Sequence, residues 1–120
     1  MKHDNIIVLI KEPKKDPVIK TIPNTKKAFQ SIVDGNFEVI DIRKNVVLID
    51  NEECRTVMRF ANKYNFAITS GGEYIDTVKG NAIFCSWDGE DFDDIGVTDV
   101  LDLFCELSNE TFPDLEVNFA

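Results

Sequence analysis

A chain of 120 residues has the size of one domain, and its 43% hydrophobic content suffices for a packed core rather than a disordered chain. The net charge of −9 is lopsided, because residues 1–72 hold twelve Lys and Arg against nine Asp and Glu, while residues 73–120 hold one against thirteen. So acidic a C-terminal part repels nucleic-acid phosphates and anionic lipid, which argues against both as partners, and it attracts a basic protein surface.

The first five residues are a polar start that includes His3, the single histidine. Ile6-Ile7-Val8-Leu9-Ile10 is a continuous apolar run and predicts a strand buried on both faces. Pro13 and Pro17 oppose pairing after it, and Val18-Ile19-Lys20-Thr21-Ile22 predicts a second short strand. Asn24 or Thr25 can cap a helix in which Ala28, Phe29, Ile32 and Val33 form one apolar stripe. Asp34-Gly35 stops that helix, with Gly35 expected in the left-handed position. In the next strand Phe37, Val39 and Asp41 share one face, and Glu38, Ile40 and Ile42 the other. Arg43-Lys44-Asn45 turns the chain into Val46-Val47-Leu48-Ile49, completing a hairpin.

Val57, Phe60, Ala61 and Tyr64 recur at helical spacing and predict a short helix over residues 55–64. Residues 65–74, with Ser70-Gly71-Gly72, read as a flexible loop, and residues 81–87 as a strand led in by Gly80. Residues 87–107 then hold eight carboxylates and no base. Thr98 can cap a helix there, with Asp99 favourable against its dipole. Val97, Val100, Leu101, Phe104 and Leu107 are its expected buried face, Asp99, Asp102 and Glu106 point away, and Leu103 sits on the shoulder. Leu115, Val117 and Phe119 alternate with polar residues, as a last edge strand would. The expected architecture is one α+β domain over residues 1–120, with a mainly antiparallel sheet of about five to six strands and two to three helices.

The chemistry-bearing patterns are sparse. The longest apolar run is too short to span a membrane, and no signal-peptide pattern opens the chain. Cys54, Cys85 and Cys105 form no CxxC pair, so reduced thiols in a cytoplasmic protein are expected, and neither a disulfide framework nor zinc. Cys54 beside Arg55 is the thiol with a cation to lower its pKa. With His3 alone near the terminus, no base is placed to activate a nucleophile. Asp91, Asp93, Gly96, Asp99 and Asp102 follow a calcium-loop spacing in part, but Ile95 stands where a ligand belongs. Lys11, Lys14, Lys15, Lys20, Lys26 and Lys27 lack interleaved aromatics and read as a solvated basic face.

Over most of its length, and most sharply in its acidic turn, the chain resembles a family of small proteins from Gram-positive bacteria, their plasmids and phages, domain of unknown function 3846. The resemblance rests on Asn24-Thr25, Ala28-Phe29-Gln30 and Ile32-Val33-Asp34-Gly35, a hairpin ending at Asn51-Glu52-Glu53, the strand Gly80-Asn81-Ala82-Ile83-Phe84, the acidic turn Asp88-Gly89-Glu90-Asp91-Phe92, and Thr98-Asp99. Asn62-Lys63 among aromatics departs from the family's Asn-Arg pair among leucines and prolines. The resemblance implies a mobile-element or phage setting and no particular activity.

The expected function is therefore non-enzymatic: an acidic inhibitor or adaptor that docks on a basic surface of a host protein. In the phage setting the host proteins include defence nucleases and sirtuin-type NADases. The expected partner-binding residues are Glu90, Asp91, Phe92, Asp93, Asp94, Asp99, Asp102, Leu103 and Glu106, with Trp87 and Cys105 as further apolar contacts. No catalytic residue, cofactor or metal is expected. The alternative is a small-molecule or nucleotide-binding module built on Ser70-Gly71-Gly72 with Arg55, Arg59 and Lys63.

Overall fold

In the computed structural model, residues 4–108 and 113–117 are described. His3, Phe112 and Phe119 lie outside them. The apolar run becomes β1 (Asn5–Lys11), paired antiparallel with β2 (Val18–Pro23) in a register that sets Asn5 against Pro23. Helix α1 (Lys26–Val33) starts where Thr25 accepts from the Ala28 amide at 3.1 Å, the cap foreseen from the sequence. Its end differs in detail. Asp34, not Gly35, takes the left-handed conformation, at φ 64°. Asn51 Nδ2 and Arg59 Nη2 bind the Asp34 carbonyl, so side chains hold this end. Gly35, at φ 140°, is required by space as well, since a Cβ there would lie 2.8 Å from Asn51 Nδ2.

The hairpin of β3 (Phe37–Arg43) and β4 (Val46–Asn51) forms as expected, with a register shift between Asp41 and Arg43. The predicted helix over residues 55–64 does not form. One turn of 3-10 helix, Met58–Phe60, replaces it, and Tyr64 already belongs to β5 (Tyr64–Ser70). Only Phe60 is buried in that turn, and Met58 is exposed, so there is no apolar face to hold a longer helix. The predicted loop at 65–74 is instead the hairpin of β5 with β6 (Glu73–Lys79). Gly71 and Gly72, at φ 60° and 82°, form a two-residue turn of the kind that matches strand twist.

Strand β7 (Ala82–Trp87) carries on the main sheet, β8 (Phe92–Asp93) pairs with it, α2 spans Val97–Leu107, and β9 (Asp114–Glu116) pairs parallel with β5. The main sheet runs β2-β1-β7-β4-β3 with β8 on β7, and the second runs β6-β5-β9. All pairings but β5–β9 are antiparallel. The chain is thus α+β and mostly antiparallel.

Side-chain alternation divides the core into two. On one face of the main sheet Ile6, Val8, Ile10, Val47, Ile49, Ile83 and Cys85 pack with Phe29 and Val33 of α1. On the other face Leu9, Ile42, Leu48 and Phe84 meet Phe66, Ile68 and Val78 of the second sheet and Leu103 and Leu107 of α2. The layers are α1, the main sheet, then the second sheet with α2.

Candidate functional site

Helix α2 is apolar on two sides. At about 100° per residue, Val100, Leu103 and Leu107 lie on one arc, and Val97, Leu101, Phe104 and Cys105 on another. The fold buries the first. Leu103 is 0% exposed and Leu107 is 1%, and Val100 packs against the same core. The second arc faces outward, with Val97 78%, Leu101 62% and Phe104 42% exposed and Cys105 exposed as well. This turns the helix from the expected orientation, although Val100 and Leu107 face the core as expected. Leu103, expected as a docking anchor, is core, while Val97, Leu101 and Phe104, expected as core, face out. Arg43 contributes to that choice. Its Nη2 contacts both Glu106 oxygens, at 2.7 and 2.6 Å, and the Glu116 carbonyl at 2.9 Å, tying α2 to β3 and β9.

The expected acidic surface divides in the same way. Asp88 Oδ1 accepts from the Glu90 and Asp91 amides and forms the turn. Asp94 Oδ1 accepts from the Ile7 amide at 2.7 Å, and Asp93 Oδ1 from the Asp94 amide at 2.8 Å. Phe92 is half-buried, 4.7 Å from Trp87 and 5.0 Å from Phe29 between ring centroids. Asp99 curls back over Gly96, its Oδ2 3.1 Å from where a Cβ on that glycine would sit. Glu106 is committed to Arg43. Asp94, Phe92, Leu103 and Glu106 thus each hold a contact within the fold, and Glu90 and Asp102 are the acids that stand exposed with no side-chain hydrogen bond or ion pair among the described residues.

A second constellation escaped the sequence reading. Arg55 lies 2.8 Å from Glu38, 3.3 Å from Asp50 and 2.7 Å from Asp76, all three carboxylates held on one guanidinium. Burial opposes the charge on Arg55, but contact with Asp76 and the charges of Asp50 and Asp76 raise its pKa on balance. Burial and contact with Glu38 push Asp50 up to about 7, although Arg55 pulls the other way. Cys54 Sγ sits 3.7 Å from Asp50 Oδ2 and 3.4 Å from Arg55 Nη1. Burial raises the Cys54 thiol above its ordinary value, so Arg55 does not activate it and Cys54 is a buried thiol just past the end of a strand, the expected reading. Burial also pushes Cys85 up to about 12, leaving Cys105 as the exposed thiol.

Of the residues of the nucleotide-binding alternative, only Arg59 and Lys63 come together, around Phe60. Arg55 is occupied by the three acids. Gly71 lies at the β5–β6 tip, where its amide donates to Glu116 Oε1. Arg59 and Lys63 flank the Phe60 ring, at 4.7 and 5.5 Å, beside an open cleft of about 280 Å³ lined by Ile32, Val33, Lys63 and Asn81 among others. Lys11, expected on a solvated basic face, is 2% exposed. Its ammonium is held by Asn65 Oδ1 and the Glu12 carbonyl, and burial lowers its pKa. No group of His, Cys, Asp and Glu among the described residues has the geometry to hold a metal ion. No helix among them is long and apolar enough to cross a membrane.

A layered α+β domain with an outward-facing apolar helix is the class these features define. The chain belongs to the family Domain of unknown function (DUF3846), whose pattern matches residues 3–107, from the start of β1 to the end of α2. No curated protein and no solved structure matches it.

Proposed function

We propose that this protein is a binding module for another protein, and that the outward arc of α2 is its docking surface. The observation that carries this reading is the exposure of Val97, Leu101 and Phe104, spaced i, i+4 and i+7 along one helix whose other arc is buried. Such spacing is how an amphipathic helix enters an apolar groove. Asp102 stands at the edge of the arc, so a partner with a basic rim fits it better than an acidic one. In the mobile-element setting implied by the resemblance, that partner is a host protein, with defence nucleases and NADases the first to test.

Cys105 offers a direct test, since it is the exposed thiol beside Leu101 on the helix. A photocrosslinker on Cys105 is expected to capture a discrete host protein. Leu101→Asp should weaken capture roughly thirtyfold, as loss of about 2 kcal/mol at an interface anchor does. Asp102→Lys should weaken it less and flatten its salt dependence. Capture indifferent to both changes would remove the α2 surface from the proposal. The small-molecule alternative is left with the cleft beside Phe60 and Lys63. A rise in melting temperature with a nucleotide panel, lost in Lys63→Ala, would favour it instead.

A further inference from the structure

The acids around Arg55 come from separate strands, Glu38 from β3, Asp50 from β4 and Asp76 from β6. One guanidinium therefore joins the main sheet to the second sheet. The three acids do not share the same solvent. The Glu38 and Asp76 side chains are 36% and 39% exposed, and that of Asp50 is 0% exposed. Glu38 stands directly opposite Asp50 in the β3–β4 pairing, so their carboxyl groups leave the same face of the sheet side by side. Asp50 Oδ2 meets Arg55 and the Cys54 thiol, while Oδ1 meets no donor. A buried carboxyl oxygen without a donor, next to a second carboxyl group, is the setting in which the two share a proton.

The surroundings offer Asp50 little else. The segment after β4 supplies Arg55 and Cys54, β3 supplies Glu38, and β6 supplies Asp76. On the β7 side, the β4–β7 register continued by one residue from Ile49 and Ile83 places Ala82 next to Asp50. Beyond it on β1 lies Lys11, opposite Ala82, with its ammonium engaged by Asn65 and Glu12.

We infer that Asp50 and Glu38 hold one proton between them, and that its loss draws Arg55 toward Asp50 and away from Asp76, loosening β6 from the main sheet. The domain thus contains a pH-sensitive tie between its two sheets, independent of the α2 surface. The sign follows from linkage. Asp50 binds its proton more tightly in the folded protein than at its ordinary value of 3.8. Its contribution to stability is therefore full below that value and is lost as pH rises toward about 7.

Carbon-detected NMR of the aspartate carboxyl groups, with hydrogen exchange of the β6 amides, tests this between about pH 5 and 8.5. The Asp50 carboxyl carbon is expected to titrate with a midpoint near 7. Exchange of the β6 amides, after correction for base catalysis, should quicken about tenfold as pH rises to that midpoint and level off above it, the equivalent of one unit of linkage. Glu38→Gln leaves Asp50 without its partner acid, so the midpoint should fall by about one unit or more and the step in exchange should move with it. Asp50→Asn should abolish the step. If Asp50→Asn does not fold, Glu38→Gln, at a half-exposed position, decides alone. An Asp50 midpoint near the ordinary carboxylate value, or a step in β6 exchange unmoved by Glu38→Gln, would overturn the inference.

Discussion

The two helices of this domain obey the same burial rule and end in different positions. On α1, Phe29 and Val33 are 1% exposed, and Lys26, Lys27 and Ser31 face water. On α2, Leu103 and Leu107 are just as buried, but the outward side carries Val97, Leu101 and Phe104. One apolar stripe against a polar remainder allows one orientation on a sheet. Two apolar arcs allow two, and the choice falls to tertiary contacts such as the Arg43–Glu106 pair. A helix with two apolar sides and one sheet to cover has a surface left over, and that remainder is what points to a partner.

The comparison can be broken at its buried side first. Phe29 packs edge-on against Phe37 at 5.5 Å and Phe92 at 5.0 Å, so Phe29→Ala empties the centre of the α1 core. The expected cost is about 3–5 kcal/mol, read by urea denaturation. Leu103→Ala should cost about 2–5 kcal/mol by the same mechanism, because Leu103 is wholly enclosed. Thr25→Ala tests α1 at its cap and removes the bond to the Ala28 amide, for an expected loss of about 1 kcal/mol. A Leu103→Ala variant as stable as the parent would mean that α2 presents another face to the sheets.

Sequence pattern carries this fold where the controlling interactions are local. The β-branched run of β1, the Thr25 cap, the β3–β4 hairpin and the strand after Gly80 are each written within a few residues. The β5–β6 hairpin was also legible, since Gly71-Gly72 between strand-like runs is a two-residue turn signal, and the weight given to helical spacing at Val57, Phe60 and Tyr64 obscured it. The burial of Lys11 was not legible, because its acceptor Asn65 lies 54 residues away. The Arg55 cluster was hidden for the same reason. Glu38, Asp50 and Asp76 are spaced far apart along the chain, and only the strand order brings them onto one guanidinium. The acidic stretch failed differently. Counting its charges could not distinguish Asp94, which holds the Ile7 amide, or Glu106, which holds Arg43, from the exposed Asp102.

The smallest expected effect is the sharpest test of the comparison. Leu101 has the same side chain as Leu103 and lies two residues away on the same helix, yet it is 62% exposed where Leu103 is 0%. Leu101→Ser removes side-chain atoms that already lie largely in water, so neither a cavity nor a lost transfer term of core size follows. Its stability should stay within about 0.5 kcal/mol of the parent, as for a surface substitution away from special features. Less apolar surface should also reduce self-association at high concentration, measurable by light scattering. A loss comparable to that of Leu103→Ala would place Leu101 in a core, and the outward arc, with the docking surface drawn from it, would disappear. A Leu101→Ser variant that keeps full stability but loses the Cys105 crosslink would separate binding from folding at a single residue.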